Sequence, residues 1–399
     1  MASTVSLRSH GSTRIVALGL AIALSMTGIA VFSPPSASAS NAESSPLRTH
    51  LTNSRQRLQQ LQTQPATAIT LKASVTAESR SGVRRLRIGE YQYLSDSDRD
   101  FAGYSLGAGS WDTGVGVLAS AVADEFVLQA ARAGIALDAV DVIVTSHPDA
   151  PEQERQHKVA YPRNLAYVAW LDSPASEQQL DTLRQTVNRE SAALNLITEA
   201  QPVGHGEVVL TTSPAQRDPN LPPGLRDFLI EKRQAILRKQ QAGADAPYSL
   251  RAHARIEPRS GLRDVRTGTR GFQFIHDRTP ALGGLGLGPT AEEHLLGVLG
   301  TCLTHVTEIQ AATRQVVLDA LEVRLQSTLS PRVGQGITSP ARYGDIRYSV
   351  HVESPASRSD IDGLRDAVEA TCPVYNLLKD PQTIQSRVVR GRYTGGTSS

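Results

Sequence analysis

The sequence predicts an α+β fold built twice in tandem, and three observations predict it. The chain of 399 residues repeats itself at a nearly constant offset. Its strand-like stretches are short and alternating, and they do not follow the βαβ order of a parallel sheet. Each repeat also holds one long apolar helix-forming run behind a glycine-rich loop. In the second repeat this is GGLGLGPTAEEHLLGVLGTCLTHVTEIQAATRQ, from Gly283 to Gln315.

The repeat is read from aligned segments. GVLGTCLTHVTEIQAATRQVVLDALEV from Gly297 lies 181 positions after GVLASAVADEFVLQAARAGIALDAVDV from Gly116. SPAS at Ser354 follows SPAS at Ser173 by the same 181, and RSGLRDVR from Arg259 follows RSGVRRLR from Arg80 by 179. One two-residue indel reconciles the offsets. The first copy spans 47–213 and the second 223–399. The polar, proline-rich run at 214–222 reads as a linker. Each copy has the size of one domain.

Within the second copy a polar amphipathic helix opens at 223–241. Strands YSLRAHARIE and GFQFIHD follow, then the glycine loop and the long helix. LDALEVRLQSTL and YGDIRYSVHVES read as further strands. Ser357 caps a helix with Asp360 at its third position, Pro373 breaks the backbone after Cys372, and QTIQSRVVRG is the last strand. Leu295, Leu299, Cys302, Val306 and Ile309 share one face of the long helix, so the sulfur points into a core or a sheltered cleft.

Residues 1–39 differ from the rest. Arg8 and Arg14 precede the apolar run IVALGLAIALSMTGIAVF, and the small residues SPPSASAS follow. This is the pattern of a secretory signal cut near Ala39, with an uncleaved membrane anchor as the alternative. No second apolar run is read as long enough to span a bilayer. The expected location is outside the cytoplasm, periplasmic or secreted. There the two cysteines can keep a disulfide, and a merely structural bridge is one reading of an even cysteine count. With 40% hydrophobic and 20% charged residues and a net charge of +2, the composition is ordinary. No basic run interleaved with aromatics points to nucleic acid.

Aligning the copies places Ala121 opposite Cys302, Ser191 opposite Cys372 and Trp111 opposite Glu292. The first copy keeps the apolar pattern (Gly116, Leu118, Leu137, Val142) without the thiols, so the pair is not required for folding. Other chemistries fit less well. GGLGLG lacks the Lys-Ser/Thr of a P-loop and the βαβ setting of a dinucleotide site. Cys302, His305 and His294 do not share one helix face, so no metal is expected. No third group orients a Cys-His hydrolase. Asp124-Glu125 and Glu292-Glu293 read as helix-end acids.

The second copy resembles the OsmC/Ohr family, the osmotically inducible protein C and organic hydroperoxide resistance proteins. The residues that carry the resemblance are GG, GPTAEEHLLGVLGTCL, SPAS and the Cys-Pro of TCPVYNLL. It implies an antiparallel sheet around a central helix in each copy, and one chain acting as an intramolecular pseudo-dimer with its site at the interface. It implies a thiol peroxidase without a cofactor, using an organic hydroperoxide and a dithiol reductant, typically a lipoyl group. Cys302 would attack the peroxide and Cys372 would resolve the sulfenic acid as a disulfide. An arginine held by a glutamate would activate the thiol. Glu292 matches that glutamate by spacing, with Glu293 next. Arg263 is the first choice for the arginine, with Arg266 and Arg270 close behind and Arg84, from the first copy, as the alternative across the interface. The rival is a non-catalytic exported binding or structural protein with a permanent disulfide, or a redox sensor. Self-association beyond the pseudo-dimer is left open.

Overall fold

The computed structural model describes residues 45–63, 67–149, 159–243, 249–330 and 340–395. The segment at 1–39 expected to be a signal or anchor and the last residues of the tail lie outside the described residues. From the start of the description the chain gives α1 (Pro46–Leu61), β1 (Ile69–Ala77), β2 (Arg84–Ile88), β3 (Tyr91–Ser95), α2 (Ser110–Ala133), β4 (Ala139–Ser146), β5 (Ala166–Asp172), α3 (Glu177–Glu190), α4 (Ala192–Thr198) and β6 (Glu207–Thr212). It continues with α5 (Leu225–Ala242), β7 (Leu250–Ile256), β8 (Arg263–Thr267), β9 (Phe272–His276), α6 (Ala291–Arg314), β10 (Ala320–Leu329), β11 (Tyr343–Ser354), α7 (Arg358–Thr371), α8 (Pro373–Lys379) and β12 (Gln385–Arg390). Helix, three strands, long helix, two strands, two helices and a strand occur in that order twice.

Two six-stranded sheets result, ordered β3-β2-β1-β10-β11-β6 and β12-β5-β4-β7-β8-β9. Each takes strands from early and late in the chain. The first is joined through the antiparallel β1·β10 pair, with Val75 opposite Val323, and the second through β4·β7, with Val142 opposite Ala254. A wholly antiparallel sheet does not describe them. β6 runs parallel to β11 and β12 parallel to β5, so each sheet is mixed. The reason is connectivity: the strand after each helix pair adds to the edge of the other sheet and arrives in the same direction as its neighbour. From Ser44 onward the chain forms one compact unit.

α6 packs on β1, β2 and β10, α2 packs on β4, β7 and β8, and the two helices pack on each other. Both are therefore covered on most sides, and 18 of the 24 residues of each are buried. This corrects one expectation. α2 is long and apolar enough to cross a membrane by length and composition, yet 94% of its apolar window is buried inside the protein, as befits a core helix. Glycines permit the close fit. A Cβ at Gly300 would stand 2.5 Å from Leu325 and 2.8 Å from Val75, so α6 lies directly on β10 and β1 there.

Candidate active site

α6 begins with a reciprocal cap. The Thr290 hydroxyl accepts from the Glu293 amide and the Glu293 carboxylate accepts from the Thr290 amide. Glu293 is thereby committed to capping. Cys302 lies in the middle of the helix and is 3% exposed. The second sulfur is delivered by a break. α7 ends at Thr371, Cys372 leaves helical geometry with ψ of 117°, and Pro373 starts α8, where its missing N–H costs nothing. The Cys372 side chain caps neither helix. Its thiol donates to the Cys302 sulfur at 3.3 Å, and both cysteines are free thiols. A bonded pair would stand about 2.05 Å apart, so the two sulfurs are adjacent and unbonded.

The two thiols are pushed in opposite directions. The hydrogen bond from Cys372 lowers the Cys302 pKa first. The Val374 amide and the charge of Arg84 lower it further, against burial, which raises it. Burial raises Cys372 well above the ordinary thiol value, and its bond to Cys302 adds to that. Cys302 is thus the more acidic sulfur of the two and Cys372 the less acidic.

Arg84 reaches the site from β2 and is 1% exposed. It donates to the Gly82 carbonyl at 2.9 Å, to Ser97 Oγ at 3.0 Å and to Ser95 Oγ at 3.3 Å. Its Nη1 also lies 3.1 Å from His305 Nδ1. Arginine can only donate, so Nδ1 accepts and the imidazole is neutral. Burial, Lys232 and Arg84 all lower the His305 pKa, in agreement. Arg84 Nη1 stands 3.7 Å from Glu308 Oε2, and Lys232 Nζ stands 3.1 Å from the same oxygen.

Cys302, Cys372 and Arg84 are thus brought together, and Glu292 is not among them. It lies in the first turn of α6, ten residues and about 15 Å of helix before the sulfur. Its charge acts instead on Arg263. Arg263 pairs with Asp124 of α2 at 3.2 Å, next to Arg278 at 2.7 Å from the same oxygen. That cluster belongs to the helix carrying Ala121, where Ser191 caps α4 through the Leu194 amide. Arg270 pairs with Asp98 at 3.4 Å and is half exposed, and Arg266 is exposed. The glutamate beside Arg84 is Glu308, a residue that spacing did not select. An acid between Val306 and Ile309, two positions on the buried face of the helix, was its one signal. Nothing in the polar run around Lys232 distinguished it.

A small apolar pocket lies between α2, α6, α4 and α8. Trp111, Leu118, Leu196, Leu295, Val298 and Val374 are among its walls. Val298 and Leu295 stand one and two turns before Cys302 on the same face, and Val374 supplies the amide at the Cys302 sulfur. Neither sulfur is among its walls, and Leu295, Val298 and Val374 are the walls nearest to them in sequence.

The comparisons with known proteins agree with the resemblance in the second half. Residues 284–387 match the family described as OsmC-like protein. Among solved structures, an OsmC like protein from Mycoplasma pneumoniae is 14% identical, with 34% of this chain and 89% of that chain covered, at a TM-score of 0.26. No curated protein matches the chain. Residues 284–387, with the helix of Cys302 and the Cys372-Pro373 turn inside them, are an OsmC-like domain.

Proposed function

We propose that the chain is a thiol-dependent peroxidase that reduces organic hydroperoxides at Cys302. The Cys302 thiolate attacks the distal peroxide oxygen. The O–O bond breaks, the alkoxide takes a proton and leaves as the alcohol, and sulfur is oxidised to the sulfenic acid. The Cys372 thiol then attacks that sulfur and releases water, leaving a Cys302–Cys372 disulfide. An external dithiol returns both to thiols. The observation that carries this reading is the pair itself: two unbonded sulfurs 3.3 Å apart, one made more acidic and the other less. Match to the OsmC-like family over 284–387 supports it. The apolar pocket suits an organic rather than a hydrated peroxide.

In this reading the first half of the chain stands in for a second subunit and supplies Arg84, and the whole is an intramolecular pseudo-dimer of duplicated domains. Glu308, not Glu292, takes the place of the glutamate beside that arginine. The segment at 1–39 exports the protein. The test is consumption of cumene or tert-butyl hydroperoxide by the reduced protein with a dithiol. The account expects turnover by wild type and none by Cys302→Ser. Equal consumption by both would sink it.

A further inference from the structure

Lys232 is a lysine with no exposure at all, brought from α5 to the edge of the thiol site. Its ammonium lies 3.1 Å from Glu308 Oε2 and 3.3 Å from the Phe101 carbonyl, with the Phe228 ring 5.2 Å away. A buried lysine is expensive to keep unless a partner holds it. Glu308 is that partner, and it is also the carboxylate within 3.7 Å of Arg84. Two cations from different elements therefore share one carboxylate oxygen. Lysine is the nearer of the two.

We propose that Lys232 is a positioning residue for Cys302: it occupies Glu308 so that the charge of Arg84 remains directed at the thiolate. This rests on reading Cys302 as the attacking thiol. The groups facing the cluster are Arg84 from β2, Asp96 after β3, Lys232 from α5, His305 and Glu308 from α6, and Cys372 before α8. Asp96 is already satisfied by the amides of Ser97, Tyr104 and Leu106. His305 is neutral. With Lys232 present, the nearer cation on Glu308 Oε2 is the ammonium at 3.1 Å, and Arg84 stands back at 3.7 Å. Without it Arg84 is the one cation left, among the described residues, to hold Glu308. Glu308 then opposes the thiolate from the same helix, six residues or about 9 Å along. Lys232 does not act directly on the sulfur; Arg84 is the charge that does.

The test titrates Cys302 in the reduced protein by iodoacetamide alkylation across pH, read by mass spectrometry of the Cys302 peptide. Lys232→Met is expected to raise the midpoint by about one pH unit, so that alkylation below it slows about tenfold. Lys232→Arg keeps the charge and is expected to titrate near wild type. Because the lysine acts through Glu308, Glu308→Gln and the double variant Glu308→Gln/Lys232→Met are expected to share one midpoint. A folded Lys232→Met with the wild-type midpoint overturns the proposal. Should Lys232→Met not fold, a double variant displaced about one unit from Glu308→Gln overturns it. Alkylation needs no peroxide. A shifted midpoint in a protein that consumes no hydroperoxide would leave this proposal standing and remove the peroxidase reading.

Discussion

Cys372 Sγ stands 3.3 Å from Cys302 Sγ, delivered to it by the break between α7 and α8. Pro373 fixes where the chain turns, and the helix break sets Cys372 over α6.

The two sulfurs have separable roles. Cys302→Ser should abolish hydroperoxide consumption. Cys372→Ser should still react once with peroxide, accumulate the sulfenic acid and proceed to the sulfinic acid with excess oxidant. Intact mass spectrometry checks this as a gain of one and then two oxygen atoms on the Cys302 peptide.

Arg84 sets the pH dependence. The Cys302 pKa is depressed, so the thiolate is present above it and the rate of peroxide attack falls as pH drops through it. Arg84→Met removes the cation and moves that fall to higher pH. At a pH below both midpoints a shift of one unit is about a tenfold loss of rate. A pH–rate profile for single-turnover oxidation measures it, and an unmoved midpoint speaks against the arginine.

The pocket makes a prediction about substrate size. Trp111→Ala removes one apolar wall, and the KM for cumene hydroperoxide should rise several-fold. Alkylation of Cys302 by iodoacetamide should keep its rate, because the sulfur's own partners are untouched. Loss of both together would mean a collapsed site.

Gly300 tests the packing that places α6. Any side chain there meets Leu325 and Val75. Gly300→Ala gains about 1 kcal/mol of helix propensity but overpacks the interface at a cost of about 1–3 kcal/mol. Net destabilisation in a denaturant melt is expected.

Much of this was legible beforehand. The helical period around Cys302, the Ser357 cap with Asp360 and the break at Pro373 are local signals, and the structure has all three. The sequence favours Arg263 and keeps Arg84 only as the alternative, whereas Arg263 pairs with Asp124. Arg84 and Arg263 occupy matching positions in their copies, and only pairing of strands between the copies decides which one faces the sulfur. The glutamate was misplaced for a related reason. Spacing along one helix measured Glu292 against Cys302 as if both served one site, but the two ends of α6 serve different clusters. Lys232 was hidden because a lysine in a polar helix ordinarily faces water, and its burial depends on α5 packing against α6. β8 was passed over because its five residues, RDVRT, hold a single apolar side chain and so lack the apolar alternation of a strand.

The most direct measurement is a stoichiometric titration of the reduced protein with cumene hydroperoxide, counting thiols and mapping peptides under non-reducing conditions. The account predicts that one equivalent of peroxide removes both thiols, yields one equivalent of alcohol and links the Cys302 and Cys372 peptides by a disulfide. Both thiols surviving an equivalent of hydroperoxide, or disappearing without alcohol formed, would contradict it.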